Sequence, residues 1–437
     1  MFVFVSRRRL ACCARMDLLN NCKRGTSSSV HTNSVGDNKV VRRNWRRKFS
    51  SSPPSSPETI LGEFDRDHLE LLASKPPTPL ILKDMYDYGR ATEKQQRLLN
   101  AQFLYKELPI RVAQRAVDLL TLPNGLSEAE PIQEVARTYL SYVQQLEQAP
   151  MPVSLNDEEA FTDTLRSFIL DSDTIPQHIA KGVHIWSQEG KASSAEMEDA
   201  LYRFFTARVG LRLLVEHFIL SSNRESCKSV RNLVSMFPDE DHYTGCIHDD
   251  CDVLNEVRRV AEVVSSKTRD FYSQCPAIEI VDCCRTDAQF TQVPHHLHHM
   301  FAELLGNSCR AVVEASNKDS KLDPIIVVVS KGDEDVSIKV ADKGGGIPRS
   351  RMETIWSFAE FSSKSQFAAD QTPRGFGLPL ARIYARYFGG ELTLKSMEGY
   401  GLDAYLHLPR LGTNCENLPP RVRQSPGARD STPTSEE

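Results

Sequence analysis

The sequence predicts an α+β protein of two domains, with an N-terminal helical bundle and a C-terminal α/β sandwich built on a mixed sheet. The prediction rests on helical periodicity in nearly every segment from about residue 82 to 272, and on β-rich segments from about residue 276. Pro-rich stretches before residue 80 are typical of linkers. We therefore divide the 437 residues into a leader and linker (1–57), a bundle (58–275), an α/β domain (276–412) and a disordered tail (413–437).

The N-terminal leader is strongly basic. Its first 48 residues hold twelve Lys or Arg but only two acidic residues, Asp17 and Asp37, and no long apolar core of a secretory signal. An Arg-rich, Ser-rich and acid-poor N-terminus is typical of a mitochondrial presequence. We expect import into the matrix and cleavage before the segment 50–57, and a disordered basic tail is the alternative.

The bundle is predicted from long amphipathic segments. The segment 93–123 carries apolar residues at helical spacing, and Pro109 is expected to kink it. Ser127, with Glu130 three residues later, predicts the N-cap of the next helix. Two further long helices, in 194–220 and 251–274, complete a pattern of helices joined by short polar loops, which indicates a bundle.

The C-terminal domain is predicted from strands and one Gly-rich stretch. "AIEIVD" and the two halves of "PIIVVVSKGDEDVSIKVADKG" are strands, and "KGDED" between those halves indicates a hairpin. A Gly- and Ser-rich stretch from Asp342 to Gly377 precedes a helix over 378–388. Two last strands, "GELTLKSM" and "DAYLHLP", complete the expected mixed sheet.

Overall composition excludes several classes of protein. A net charge of −5 gives no electrostatic case for nucleic acid binding. No apolar run approaches the roughly 20 residues that span a bilayer, so no membrane partner is expected. Eleven cysteines form no disulfide framework. Cys246, His248 and Cys251 are close in sequence, but free thiols are favoured over a metal site because four ligands at zinc spacing are lacking.

A line of polar residues runs along one predicted helix, "HHLHHMFAELLGNSCRAVVEAS". Glu303, Asn307, Arg310 and Glu314 follow one another at i, i+4, i+7 and i+11, which places them on one face. Leu, Met and Val residues take the other faces. A helix that is apolar on its back therefore directs a carboxylate, an amide and a guanidinium towards one place.

Two Gly-rich segments follow the polar line. In "VADKGGGIP" a strand ends at Asp342, and Gly344 and Gly346 allow a tight turn close to a ligand, while the carboxylate can accept from an exocyclic amine. In "RGFGLPLAR" the residues Gly375 to Leu378 open a helix, whose amide groups favour an anion. Each segment alone is weak evidence. The polar line and these two segments, in this order along the chain, predict a nucleotide-binding site.

The motifs ExxxNxxR, DxGxG and GxGLP resemble the three nucleotide-binding boxes of the ATPase superfamily that includes gyrase and bacterial histidine kinases. More closely, "KELPIRVAQR", "ARVGLRLL", "VPHHLHHMFAELLGNSCRAVVE" and "GLPLARIYARYFGGELTLKSMEGYGLDAYLHLP" resemble mitochondrial pyruvate dehydrogenase kinase and branched-chain 2-oxoacid dehydrogenase kinase. The resemblance covers about residues 82 to 412. It implies a histidine-kinase-like ATPase fold behind a helical bundle.

The resemblance implies a serine/threonine kinase that uses ATP and Mg²⁺ and assigns roles to the motif residues. Asn307 would bind Mg²⁺, Glu303 would be the general base that orients the substrate serine, and Arg310 would support Glu303 or neutralise phosphate. Asp342 would bind the adenine amino group. Ser362 and Ser363 would lie near the nucleotide, and Arg374, Gly375, Phe376, Gly377 and Leu378 would form the turn over the phosphates. His299 would either tune Glu303 or be an ordinary helix histidine.

Partners also follow from the resemblance. The E1α subunit of a matrix dehydrogenase complex would be the protein substrate, which phosphorylation inactivates, with pyruvate dehydrogenase favoured and the branched-chain enzyme next. The bundle would dock the lipoyl domain of the E2 core, and the chain would form a homodimer. Arg208 and Arg212 match arginines of an allosteric pocket for a small carboxylate, although a solvated pair with Glu216 is an equal alternative.

Three positions depart from the family pattern. Gly306 stands where these kinases usually have Lys, Leu402 replaces a Thr near the nucleotide, and Pro373-Arg374 replaces a Gly and an aromatic residue. We expect Arg374 to substitute for the missing cation, which an unchanged ATP dissociation constant in Arg374→Ala would contradict. The alternative function is a catalytically weak ATP-binding regulatory subunit. A histidine kinase is disfavoured because no receiver-like segment follows His217.

Overall fold

The computed structural model describes residues 65–90, 94–172, 174–190, 193–221, 242–284, 289–316, 321–359 and 376–419. Helices occupy the first part and a mixed five-stranded sheet the second, so the predicted α+β architecture of two parts is confirmed. Within these ranges no helix has the length and apolarity needed to cross a membrane. The predicted presequence, residues 1–57, lies outside the described residues.

Within the described residues the bundle has seven α-helices, most of which bury one side, whereas the last is buried nearly all round. They are α1 (Arg66–Ser74), α2 (Leu82–Arg90), α3 (Lys94–Leu120), α4 (Glu130–Gln148), α5 (Leu155–Ser172), α6 (Ile175–Gln188) and α7 (Ala195–Ser221). In α3 the predicted apolar residues Leu104, Leu108, Val112 and Leu119 are buried. The helix runs through Pro109, so this proline does not end it.

One predicted helix start is wrong. Ser127 lies in a 3-10 turn, Leu126–Glu128, and the α-helix begins only at Glu130. Ala129 occupies the N-cap position and makes no side-chain cap hydrogen bond. Pro131, near the first helical position, fixes the helix start, because its ring presets the backbone angle and it lacks an N–H that would otherwise be unpaired there.

The second part contains a sheet covered by helices on one face. A two-stranded ribbon, β1 (Tyr243–Thr244) and β2 (Ile247–His248), precedes α8 (Val253–Tyr272). The sheet has the order β3-β4-β5-β7-β6, with β3 (Ile278–Asp282) parallel to β4 (Ile325–Lys331) and the other pairs antiparallel. The remaining strands are β5 (Asp335–Asp342), β6 (Glu391–Met397) and β7 (Gly401–Pro409). The predicted "KGDED" hairpin joins β4 to β5.

Three helices cover the sheet and place the site. The core of this part joins α8, α9 (Pro294–Ala315), α10 (Gly377–Tyr387) and the inward residues of β4, β5, β6 and β7. The predicted domain boundary at residue 275 stays a prediction. In the structure α8, which precedes that boundary, packs on α9 and shares its core, whereas α7 belongs to the core of the bundle.

The two parts meet along α7 and α10. The bundle core includes Phe358, Phe376, Ile383 and Tyr387, which all come from the second part of the chain. The Tyr387 hydroxyl fills the space beside Gly210 of α7, where an added Cβ would lie 1.8 Å from it. The glycine therefore allows the two helices to approach closely.

The predicted disordered tail is corrected for its first seven residues. Residues 413–419 pack between the two parts, with the Glu416 backbone N–H donating to Leu80 O at 2.8 Å and the Asn417 N–H donating to Tyr387 O at 2.8 Å. The buried Glu416 carboxylate accepts from Arg111 of α3 and from the Tyr387 hydroxyl. Residues 420–437 lie outside the described part of the chain.

Candidate functional site

The predicted polar line of α9 lies beside the start of α10 and the end of β5. On the other faces of α9, Leu297, Leu304 and Val312 are buried in the core, while Glu303, Asn307 and Arg310 are only partly buried. The hydrophobic side thus fixes the orientation of the helix, and the polar side faces the Gly-rich segments. Pro294 at the first turn fixes where the helix begins.

Glu303 is held against the start of α10. A Cβ added at Gly377 would lie 1.9 Å from Glu303 Oε2, so the carboxylate touches the first helical residue of α10. Burial raises the pKa of Glu303 because it disfavours the charged form, and the Arg310 guanidinium opposes this increase. The carboxylate therefore lies beside the first turn of α10.

Asn307 and Arg310 form a pair one turn further along α9. The Arg310 guanidinium donates a hydrogen bond to the Asn307 Oδ1 atom. Glu314, the last residue of the line, instead accepts from the Tyr272 hydroxyl at the end of α8, at 3.2 Å. The predicted line is thus divided: its first three residues face the site, and Glu314 joins α9 to α8.

Asp342 lies at the end of β5 with both carboxylate oxygens engaged. The buried Ser308 hydroxyl donates to Oδ2 at 2.8 Å, and the Gly344 N–H donates to Oδ1 at 2.9 Å. These bonds hold the carboxylate in one orientation on the inner side of the turn. Ser308 was not predicted as a site residue, although it lies next to Asn307 in the motif.

Glycines shape the turn after Asp342. Gly344 packs against α9, and a Cβ added at this glycine would be 2.5 Å from the Ala311 Cβ. Gly346 has φ +68°, and an added Cβ would lie 2.4 Å from Met397 O. The first glycine is therefore needed for close helix packing and the other for its left-handed backbone.

The start of α10 is buried on the bundle. Phe376, the N-cap residue of α10, is buried, and Leu378 is partly buried on the core of the sheet. The predicted site residues Ser362, Ser363, Arg374 and Gly375 lie outside the described residues.

Burial lowers the pKa of three of the four histidines at the start of α9. The pKa of His299 is lowered to about 3 and that of His298 to about 4. Burial also holds the pKa of His296 well below its usual range. His296 and His299 both pack on the ring of Tyr384 in α10, at 4.6 and 4.8 Å between ring centroids. These contacts join α9 to α10 directly before Glu303.

Two of the departures from the family pattern fall at this site. An added Cβ at Gly306 meets no atom within 4 Å, so open space adjoins the polar line of α9. Leu402 of β7 is the register partner of Asp342. The neighbouring Gly401 approaches so closely that an added Cβ would lie 2.0 Å from Asp342 O. Pro373-Arg374 lies outside the described residues.

A second predicted site lies in the bundle. Arg208 and Arg212 of α7 line one cavity of about 30 Å³ together with Tyr139, Tyr142 and Phe168. The Arg212 guanidinium also pairs with Glu216 one turn later. The alternative of a solvated pair is wrong, because Arg208 and Glu216 are buried and Arg212 is largely buried.

A larger apolar cavity lies elsewhere in the bundle. It measures about 100 Å³ and lies between α2, α3 and α7, where Met85, Tyr88, Phe103, Leu214 and Phe218 line it. His217 lies in its wall, where its Nε2–H donates to Met85 O at 3.0 Å, and burial lowers its pKa to about 4.

The predicted metal alternative gains no support around Cys246. Cys246 and Cys251 are free, buried thiols, and burial raises the pKa of both. Over the part of the chain that the structure describes, no cluster of three or more His, Cys, Asp or Glu side chains has the geometry of a metal site.

Two known families match separate parts of the chain. Residues 79–248 match the family described as mitochondrial branched-chain alpha-ketoacid dehydrogenase kinase, and residues 292–412 match the family described as histidine kinase-, DNA gyrase B-, and HSP90-like ATPase. The second match spans the polar line of α9, Asp342 and the start of α10. The fold and the site thus define a protein of the histidine-kinase-like ATPase class.

Relatives identify the family within that class. A mitochondrial pyruvate dehydrogenase (acetyl-transferring) kinase of Arabidopsis thaliana is 35% identical over 357 residues, which cover 78% of this chain and 93% of the relative. Isozyme 1 of Homo sapiens is 30% identical, covering 86% of this chain and 87% of the relative. The kinase of Schizosaccharomyces pombe is 29% identical, covering 83% and 99%. The chain belongs to the family of mitochondrial pyruvate and branched-chain 2-oxoacid dehydrogenase kinases.

Proposed function

We propose that this protein is a mitochondrial serine/threonine kinase that uses ATP to phosphorylate and inactivate the E1 component of a 2-oxoacid dehydrogenase complex. Pyruvate dehydrogenase is the favoured substrate, because the named relatives are pyruvate dehydrogenase kinases. The branched-chain enzyme comes next, because the match over residues 79–248 carries that name. The observation that supports transfer chemistry best is the Glu303 carboxylate beside the start of α10.

The site residues have separate roles in this proposal. Asp342, fixed by Ser308 and Gly344, accepts a hydrogen bond from the adenine amino group. The amide groups at the start of α10 bind the phosphates, since a helix N-terminus favours anions. Glu303 accepts the proton of the substrate serine hydroxyl and orients its oxygen towards the γ-phosphorus. Phosphoryl transfer depends mainly on such positioning and on neutralisation of charge.

Mg²⁺ is proposed on the chemistry of Asn307. A magnesium ion with a nucleotide takes one or two protein oxygens, and phosphate oxygens and water complete its shell. The Asn307 Oδ1 atom is a suitable hard donor, one turn from Glu303, and Arg310 already orients it. When bound, Mg²⁺ neutralises phosphate charge. Arg310 would then release Oδ1 and turn towards the phosphates.

We propose that the apolar cavity of the bundle receives the lipoyl group of the E2 core. The cavity is narrow and lined mostly by Met, Leu and aromatic side chains, which suits an aliphatic chain that ends in a sulfur ring. Met85→Glu would place a charge in its wall. Binding of an isolated lipoylated E2 domain should then be lost, while the unlipoylated domain, as the control, should bind neither protein.

A small carboxylate is proposed for the cavity that Arg208 and Arg212 line. Arg208 is buried and lies near Tyr139, whose pKa burial raises despite this guanidinium. Two guanidinium groups at a cavity of about 30 Å³ suit a ligand of a few heavy atoms.

A homodimer is also proposed. The face of the sheet that carries Ile326, Lys339 and Tyr405 is not covered by any described helix of this chain.

The regulatory alternative has one observation in its favour, the Gly306 position, where a cation is missing and open space remains. Labelled ATP with each purified dehydrogenase separates the two functions. We expect acid-stable phosphoserine on one E1 component with the wild type and none with Glu303→Ala. Transfer to neither dehydrogenase would favour the regulatory subunit.

A further inference from the structure

Glu198, in the first turn of α7, binds the segment that follows the last 3-10 turn of the second part. The Phe358 N–H donates to Oε2 at 2.8 Å, and the Ala359 N–H donates to Oε1 at 3.2 Å. The hydroxyls of Ser357 and Ser193 also donate to Oε1. One carboxylate of the bundle thus accepts three hydrogen bonds from residues 357–359, and it holds their backbone.

Three aromatic rings carry this attachment to α10. Phe358 stacks on Phe205 of α7 with 5.1 Å between centroids and 17° between planes. Phe376 meets both rings edge to face, at 5.5 Å from Phe205 and 5.1 Å from Phe358. All three rings are buried. The position of Phe376 is therefore set by Phe205 of the bundle and by Phe358, whose backbone Glu198 binds.

Phe376 in turn places the catalytic carboxylate. It is the N-cap of α10, and Gly377, the next residue, lies directly on Glu303. A displacement of Phe376 would move Gly377 and the amide groups at the start of the helix, because they follow it directly in the chain. The contact between Glu303 and the phosphate-binding helix end is thus set from the bundle.

We propose that Glu198 is a positioning residue of the nucleotide site, which acts through Phe358 and Phe376 to hold the start of α10 against Glu303. The inference rests on the proposed function, since it names what orients the same site. Glu198 does not touch the site itself. Its effect is on the affinity for ATP, because the amide groups of α10 must converge on the phosphates.

Substitutions at Glu198 can separate the effect of side-chain length from the effect of charge. Glu198→Ala removes every acceptor. Glu198→Asp keeps the charge at the helix start but withdraws the oxygens by one methylene. Glu198→Gln keeps one acceptor for the Phe358 N–H, and its amide can donate to the serine hydroxyl oxygens. Glu196 is the matched control, because it carries the same charge and is exposed in the same first turn of α7.

The experiment is calorimetric titration of each full-length variant with ATP and Mg²⁺, beside its thermal unfolding. We expect Glu198→Ala to raise the ATP dissociation constant on the order of tenfold, the scale of one lost hydrogen bond to a charged group. Glu198→Asp should approach that loss, Glu198→Gln should recover most of the affinity, and Glu196→Ala should equal the wild type. If Glu198→Ala fails to fold, the order of the Asp and Gln variants decides.

Several results would overturn the inference. They are ATP affinity within twofold of the wild type in both Glu198→Ala and Glu198→Asp, an equal loss in Glu196→Ala, or a better affinity in Glu198→Asp than in Glu198→Gln. The last result would mean that charge acts rather than hydrogen-bond geometry. Binding is measured apart from phosphoryl transfer, so a wild type that binds ATP without phosphorylating E1 would contradict only the proposed function.

Discussion

Gly377 and Glu303, 74 residues apart in the chain, touch: a methyl group added at Gly377 would lie 1.9 Å from Oε2 and 2.7 Å from Cδ of Glu303. The glycine at this position therefore has a steric reason, which is separate from the flexibility usually assigned to Gly-rich loops. The contact joins the helix that would bind phosphate to the carboxylate that would orient the substrate.

Gly377→Ala should abolish most of the kinase activity. The added methyl group forces either Glu303 or the start of α10 to move, and a displacement of about 1 Å at a reacting centre can cost about a hundredfold in rate. Steady-state phosphorylation of purified E1 measures the loss in kcat/KM. Gly306→Ala is the control, since it adds the same methyl group to open space on α9. Equal activity of the two variants would contradict the steric role of Gly377.

Gly306→Ala should stabilise the protein by about 1 kcal/mol, the difference in helix propensity between Ala and Gly. Gly306 lies in the interior of α9, and the added Cβ meets no neighbouring atom. Thermal unfolding with and without ATP measures the effect. An unfolding midpoint below that of the wild type would show that something in the folded protein needs this space.

Gly306→Lys should raise the affinity for ATP about fivefold, because it returns a cation to a partly exposed position beside the phosphates, where a charge pair contributes about 1 kcal/mol. Gly306→Gln is the control of similar length without charge. Titration at low and high salt completes the measurement, since screening should reduce the gain. An equal gain in the Gln variant would assign the effect to helix propensity or packing.

The activity should fall on the acid side at a higher pH than expected for an ordinary glutamate. In the proposed function Glu303 acts as a carboxylate, and burial raises its pKa, so the rate should be lost as the pH falls through that raised value. Arg310→Gln should move the acid limb further up in pH, because the guanidinium lowers the pKa of Glu303. The exposed Arg351→Gln is the control. A limb that moves down in Arg310→Gln would exclude Glu303 as the titrating group.

The same pKa predicts a change in stability. An acid whose pKa is raised on folding lowers the free energy of unfolding at a pH above that pKa, because the folded protein must then hold a buried charge. Glu303→Gln should therefore unfold at a higher temperature than the wild type at pH 7.5. The difference should shrink as the pH falls through the raised pKa towards that of an ordinary glutamate, about 4.3. A constant difference across this range would mean that packing rather than ionisation is responsible.

The histidines of α9 should make the fold sensitive to acid. His298 has a pKa of about 4 in the folded protein, below the value of about 6.5 of an unfolded chain, so protons bind preferentially to the unfolded state as the pH falls below 6.5. His298→Leu should remove about 1 kcal/mol of the loss in stability between pH 7 and pH 5. Unfolding by urea at the two pH values measures it, with the exposed His407→Leu as the control. Equal losses in both variants would contradict the prediction.

The sequence contained the local part of the site but not its assembly. The order of Glu303, Asn307 and Arg310 on one helix face, the strand that ends at Asp342 and the glycines before α10 all follow from short-range periodicity, and they were predicted. The contact of Gly377 with Glu303 depends on the packing of α10 on α9, which no spacing in the sequence encodes.

Glu198 shows a different limit. In the sequence it is one of two glutamates in the first turn of a helix, where a carboxylate is common because it suits the helix dipole. Its partners Phe358 and Ala359 are about 160 residues away. Ser127 and Glu130 show the reverse case: the capping pattern was present, but Pro131 and a 3-10 turn determined where the helix begins.

Glu416 couples the folding of the bundle to that of the second part. It supplies a buried carboxylate to Arg111, which lies in the middle of α3 and also pairs with Glu107 of the same helix at 2.9 Å. The first half of the chain therefore supplies one buried carboxylate to this guanidinium, Glu107, and the second, Glu416, comes from the residues after β7. The bundle completes its packing only when the residues after the last strand arrive, so the two halves reach their final state together rather than one after the other.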